Sequence, residues 1–155
     1  MNLNQSFQNH CKKNNLEINS NQLNLINELN NFYNLNFNKS FLKKIFSKDS
    51  YKPGFYLHGD VGVGKTMVLN FFFDQVGERK LRKHFNEFML NFQDFFHERK
   101  EKNEENIINQ FVKNLKSKAS LIYFDEFQVT NIVDAMILGK LFEQIFKEDV
   151  KIIFT

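Results

Sequence analysis

The sequence predicts an α/β fold in three layers, a parallel β-sheet with helices flanking it. Three observations carry that expectation. Short apolar runs at Phe55–Leu57, Leu121–Phe124 and Val150–Thr155 alternate with longer stretches of helical periodicity. A Gly-rich turn joins the first run to an apolar helix. The run Ser120–Phe124 is continuously apolar, which is how a central parallel strand reads when both faces are covered.

Taken in order, residues 1–20 read as polar and irregular, with Leu16 and Ile18 as apolar anchors near their end. Ser20 is placed to cap a helix over about 21–34, with Leu23, Ile26, Leu29 or Asn30, and Tyr33 near one face. A short helix is expected over Ser40–Phe46, using Phe41, Leu42, Ile45 and Phe46. Lys52-Pro53-Gly54 breaks the pattern and leads into a short buried strand, Phe55–Leu57. An N-terminal helical segment, 1–50, therefore precedes a core over 51–155. The helix after the Gly-rich turn starts at about Gly64 and ends near Gly77.

Leu81–Phe88 then reads as a strand and Met89–Lys100 as a helix. Phe88, Phe92, Phe95 and Phe96 fall on one face, and helical spacing accounts for them as core without a base-stacking role. Residues 104–117 give a cleaner helix, with Ile107, Phe111 and Leu115 joined by Ile108 and Val112. After the strand at Ser120–Phe124, Thr130 or Asn131 caps a helix running to about Lys147 through Val133, Ile137, Leu141 and Ile145. Strands and helices alternating in this way imply right-handed parallel crossovers.

From Gly59 the Gly-rich turn matches G-x-x-x-x-G-K-[ST], the P-loop or Walker A pattern: Gly59, Asp60, Val61, Gly62, Val63, Gly64, Lys65, Thr66. Glycines let the backbone turn tightly and approach a phosphate. Amides of Gly62, Val63 and Gly64, with the positive end of the following helix, would cradle the β-phosphate. Lys65 would reach the β- and γ-phosphates and the Thr66 hydroxyl would ligate Mg²⁺. A ligand-free glycine turn is the alternative, but it does not call for Lys-Thr at the start of a helix.

About sixty residues on, Leu121–Phe124 ends in Asp125-Glu126, a Walker B pattern. The acidic pair falls at the C-terminal end of a strand, where open α/β sheets bind ligands. Asp125 would hold Mg²⁺ through water, and Glu126 would polarise the attacking water as general base. Two solvated carboxylates at an ordinary strand end are the alternative. A Glu directly after the Asp favours an ATPase of the additional-strand type over a small-molecule kinase, and the guanine-reading N-K-x-D does not occur.

Composition bounds the rest. The 155 residues are 42% hydrophobic and 25% charged, as in an ordinary globular domain. The net charge is only +3 and Lys and Glu are interspersed, so no basic stripe marks a nucleic-acid footprint. Cys11 is the sole cysteine, which excludes an intrachain disulfide. No signal peptide or membrane-length segment is evident, so a cytoplasmic location is the default expectation. The four histidines do not fall at metal-ligand spacing.

Three stretches go beyond generic motifs: Pro53–Met67, then His84-Phe85-Asn86-Glu87-Phe88-Met89, then Phe124–Leu138, which reads FDEFQVTNIVDAMIL. Over about Leu16 to Thr155 the sequence resembles the ZapE family of AAA+-related ATPases. Val63 stands where that family often has Arg, Asn86 where it has His, and Asn131 where it has Asp. The resemblance implies an AAA+-like P-loop core with the last strand beside the P-loop strand. It implies ATP and Mg²⁺ as ligands, and hydrolysis coupled to the remodelling of partner proteins. The family's setting is bacterial cell division or, in relatives, mitochondrial protein quality control. Homo-oligomers are also implied, since AAA+ sites often form between subunits.

Family members continue past the strand equivalent to Val150–Phe154 into a sensor Asn and an arginine finger. Here the sequence ends at Thr155, and Arg79, Arg82 and Arg99 are its only arginines. The expectation is a C-terminally truncated member with a partial core, its P-loop strand at the sheet edge. The alternative to an ATPase is then a nucleotide-binding or interaction module without effective hydrolysis. A helicase-loader-type activity near DNA is disfavoured by the mixed surface charge.

Overall fold

The computed structural model describes residues 3–37, 52–58, 64–99, 103–129 and 132–155. Its elements run α1 (Leu3–Lys13), α2 (Ser20–Asn36), β1 (Gly54–Tyr56), α3 (Lys65–Gln75), β2 (Lys80–His84), α4 (Phe85–His97), α5 (Glu104–Lys118), β3 (Leu121–Asp125), α6 (Ile132–Lys147) and β4 (Lys151–Phe154). The fold is α/β, a four-stranded parallel sheet flanked by helices. Two compact units form, one from Met1–Lys52 with His58–Gly77, the other from Pro53–Leu57 with Glu78–Thr155.

The first unit holds α1, α2 and α3. The N-terminus is helical where irregular chain was expected. Leu3, Phe7 and Cys11, spaced i, i+4, i+8, are all buried and give α1 its apolar stripe. The polar residues between them masked that period. Phe7 and His10 pack on Phe71 of α3, with ring centroids 5.2 and 5.1 Å apart.

Helix α2 lies where the period placed it, but its cap is Asn19 and not Ser20. The Asn19 side chain accepts from the Gln22 amide at 2.9 Å, and the Gln22 side chain accepts from the Asn19 amide at 3.1 Å. This reciprocal box satisfies two helix-end donors that the Ser20 reading left open. The buried face is Gln22, Leu25, Ile26, Leu29, Phe32 and Asn36. Asn36 is tolerated inside because its Nδ2 donates to the carbonyls of Phe32 at 2.9 Å and Lys52 at 3.0 Å. The helix expected over Ser40–Phe46 lies outside the described residues.

The second unit holds the sheet, in the order β1-β4-β3-β2 with every pair parallel. β4 lies between β1 and β3, the AAA+-type order, and β1 is at the edge. β1 is accordingly less buried than expected. Phe55 is half-buried and Tyr56 is 59% exposed, because an edge strand has a neighbour on one side only. Pairing extends one residue further, the Leu57 amide donating to the Phe154 carbonyl at 2.9 Å.

β2 is shorter than expected. It stops at His84, and α4 starts at Phe85 instead of Met89. The reason is period: Phe85, Phe88, Met89 and Phe92 lie at i, i+3, i+4, i+7 and are all buried, a helical stripe that strand alternation cannot satisfy. α5 is capped by Asn103, whose side chain accepts from the Asn106 amide. The caps expected for α6, Thr130 and Asn131, lie outside the described residues.

Helices α4, α5 and α6 share one core with the sheet, built from Phe85, Phe88, Phe92, Ile108, Val112 and Leu141 against Ile122, Phe124 and Ile152. Phe124 is fully buried at its centre, its ring 4.6 Å from that of Phe88 and 5.8 Å from those of Phe85 and Phe154. Among the described residues, no helix is long and apolar enough to cross a membrane.

Candidate functional site

Of the P-loop residues, Gly64, Lys65 and Thr66 are described; Gly59, Asp60, Val61, Gly62 and Val63 lie outside the described residues. Gly64 is the N-cap of α3, at φ +80°. That left-handed conformation suits glycine, and a Cβ there would also stand 2.5 Å from the Gln22 Nε2. Gln22 thus does two jobs inside the first unit. Its oxygen closes the α2 capping box and its amide nitrogen packs against the turn into α3. The sequence signal for this was the Asn-x-x-Gln spacing, which the Ser20 reading passed over. Lys65 is half-buried and Thr66 exposed in the first turn of α3. That turn presents backbone N–H groups and the positive dipole end.

The second unit carries Asp125 and Glu126. β3 is buried from Leu121 to Phe124 and delivers Asp125 at its C-terminal end. The chain is then pinned: the Thr155 amide donates to the Phe124 carbonyl at 3.1 Å, and the Phe127 amide to the Thr155 carbonyl at 2.7 Å. Phe127 also packs on Phe85 and Phe154 at 4.6 and 4.7 Å. Between these anchors Glu126 adopts φ +56°. For a residue with a Cβ that conformation costs on the order of 1–2 kcal/mol. The turn leaves the Glu126 side chain exposed, with its Oε2 3.9 Å from the His84 Nδ1.

Three residues that motif reading did not single out surround the acidic pair. Register places Arg82 beside Tyr123, and His84 beside Asp125. Arg82 donates to both Asp125 oxygens, Nε to Oδ2 at 2.5 Å and a terminal nitrogen to Oδ1 at 3.2 Å. The Tyr123 hydroxyl interacts with Asp125 and Thr155. Burial raises the Asp125 pKa, but the Arg82 and Tyr123 contacts and the Arg82 charge outweigh it, and the carboxyl sits below its ordinary value. The sequence offered one signal, Arg82 and His84 two apart on a strand and so on one face. Their pairing needed the β2–β3 register.

Burial, and then the neighbouring Asp125, push the Tyr123 phenol up to about 12 from 10.0. A phenol whose folded pKa is raised contributes stability that is complete below pH 10.0 and lost as the pH rises towards about 12. Tyr123 should therefore ionise above the ordinary phenol range in an ultraviolet phenolate titration. Tyr123→Phe should flatten the fall in stability across that window. An unchanged alkaline limb in the variant would assign the loss to another group.

The donor set suits a hard cation. An ionised carboxylate such as Asp125 is a ligand type that Mg²⁺ takes, since it keeps several waters and seldom uses an all-protein cage. Among the described residues no three His, Cys, Asp or Glu side chains gather into a metal cluster.

Comparison with known proteins agrees with the fold. The model of the AFG1-like ATPase family matches residues 1–155. Lactation elevated protein 1 homolog B of Danio rerio is 38% identical over 132 residues, covering 76% of this chain and 26% of that protein. Cell division protein ZapE of Escherichia coli K12 is 35% identical over 105 residues, 66% of this chain and 27% of ZapE. The chain thus spans about a quarter of the length of the curated relatives it matches. With a P-loop sequence entering α3, an acidic pair ending β3 and the family model matched along its whole length, the chain belongs to the AFG1-like ATPase family.

Proposed function

We propose that this chain binds ATP·Mg²⁺ and hydrolyses its β–γ phosphoanhydride bond. The observation that carries the reading is the end of β3, a buried central strand that delivers an ionised Asp125 and turns Glu126 outward beside it. The P-loop sequence from Gly59 to Thr66 would cradle the phosphates, with Lys65 to reach the β- and γ-oxygens and Thr66 to ligate the metal. Asp125 would hold Mg²⁺ through water. Glu126 accepts a proton as the water oxygen attacks the γ-phosphorus; the bond to the β-bridging oxygen breaks, and ADP carries away that electron pair. When bound, Mg²⁺ neutralises the charge gathering on the phosphate oxygens.

The energy released is coupled to remodelling of partner proteins, most directly in cell division, the role printed in the name of the ZapE relative. Homo-oligomers would let a neighbour complete each site, and a cytoplasmic setting suits an ATP-dependent remodeller.

The test is nucleotide binding and phosphate release by the purified chain, beside Lys65→Ala. Removing the ammonium from the phosphates should weaken ATP binding by at least ~10-fold, the worth of a charge-assisted contact of about 1.5–3 kcal/mol. Mg-dependent binding with phosphate release supports the ATPase. Binding without release by the wild type favours a nucleotide-binding module instead. No binding by either chain overturns both readings.

A further inference from the structure

Arg82 and Asp125 form a close charged contact at the C-terminal end of β3. Both carboxylate oxygens are engaged by one guanidinium, at 2.5 and 3.2 Å. The guanidinium carbon also stands 4.9 Å from the centroid of the Tyr123 ring, so the side chain is held by a carboxylate and by an aromatic face. The Asp125 side chain is 13% exposed and that of Arg82 is 39% exposed. Arg82 is therefore the more exposed member of the pair.

The fork takes one lone pair on each Asp125 oxygen and so competes with a metal held through water for the same carboxylate. A cation fixed against the carboxylate also repels an arriving dication. We propose that Arg82 is a positioning residue for Asp125, holding the carboxylate in one orientation and yielding its place to hydrated Mg²⁺ when the metal–nucleotide complex loads. The proposal rests on the ATP·Mg²⁺ reading of Asp125 above. It makes the Arg82–Asp125 pair a gate on metal loading: nucleotide alone leaves the pair closed, and Mg²⁺ opens it. The planar fork matters as well as the charge, because a lysine in this position would be a point charge with no two-oxygen grip.

The experiment follows binding of a fluorescent, non-hydrolysable ATP analogue while MgCl₂ is titrated, in wild type, Arg82→Gln, Arg82→Lys and Asp125→Asn. Even at the dielectric of water, a unit charge about 4 Å from another is worth on the order of fivefold in an equilibrium constant. Arg82→Gln should therefore need about fivefold less Mg²⁺ to reach half of the metal-dependent tightening, with metal-free binding unchanged. Arg82→Lys should fall between, and Asp125→Asn should lose the tightening.

If Asp125→Asn loses the tightening but Arg82→Gln leaves the midpoint unchanged or raises it, the gate is overturned and the ATP site stands. If Asp125→Asn tightens as the wild type does, the reading of Asp125 falls and takes the gate with it. Should Arg82→Gln fail to fold, shown by its circular dichroism melt, Arg82→Lys carries the test. A midpoint equal to or above that of the wild type then overturns the proposal.

Discussion

Replacing Glu126 by Gln is expected to leave ATP binding nearly unchanged and to slow phosphate release by about 10²–10⁴-fold, the contribution typical of a positioned general base. The swap is close to isosteric. Both side chains have the same length and both backbones bear the same cost at φ +56°, so the turn after β3 should persist. What is lost is the basic oxygen. Gln can still orient a water, but it cannot take its proton as the oxygen attacks phosphorus. The substitution should not unfold the unit, because the Glu126 side chain is 78% exposed and its approach to His84 is a long 3.9 Å. Single-turnover phosphate release, measured beside nucleotide affinity, separates the two quantities. Turnover within a few-fold of the wild type would remove Glu126 from the chemistry and leave the base to be sought elsewhere.

Phe124→Ala is expected to destabilise the second unit by about 3–5 kcal/mol, the range for truncating a buried aromatic. Phe124 is fully buried and meets Phe85, Phe88 and Phe154, so three rings lose a packing partner together. Its neighbours are fixed by the sheet and by α4, and can collapse only partly into the space. Against a typical domain stability of about 5–15 kcal/mol the loss is a large fraction of the whole. Urea unfolding should show a lower midpoint with a similar slope. A loss under about 1 kcal/mol would mean that the core around β3 repacks freely, contrary to the close density of protein interiors. Nucleotide binding should weaken with it, since Asp125 and Glu126 are the next two residues along the chain.

How much of this was legible beforehand depends on the range of each interaction. β3 was readable because burial on both faces forces a continuous apolar run. α5 was readable because Ile107, Ile108, Val112 and Leu115 repeat with the helical period and are all buried. Where two periods overlap the local signal is ambiguous: Phe85 and Phe88 fit a strand by neighbourhood, but with Met89 and Phe92 they form one helical face. α1 was missed because only Leu3, Phe7 and Cys11 mark its inner face among polar neighbours. Ser20 and Asn19 are both competent caps, and the choice fell to Asn19 through its exchange with Gln22.

The βα alternation, the P-loop pattern from Gly59 to Thr66 and the Asp125-Glu126 pair closing an apolar strand are all local features of the chain. Those follow from neighbours along the chain, where sterics, period and motif spacing act over a few residues. Tertiary structure alone decided that Arg82 grips Asp125, that Gln22 backs Gly64, and that Glu126 turns outward between the anchors Phe124 and Phe127. Arg82 and Asp125 are 43 positions apart in sequence, and only the parallel register of β2 on β3 brings a guanidinium to that carboxylate. Such pairings depend on which strands become neighbours, and that is settled by burying the whole core at once.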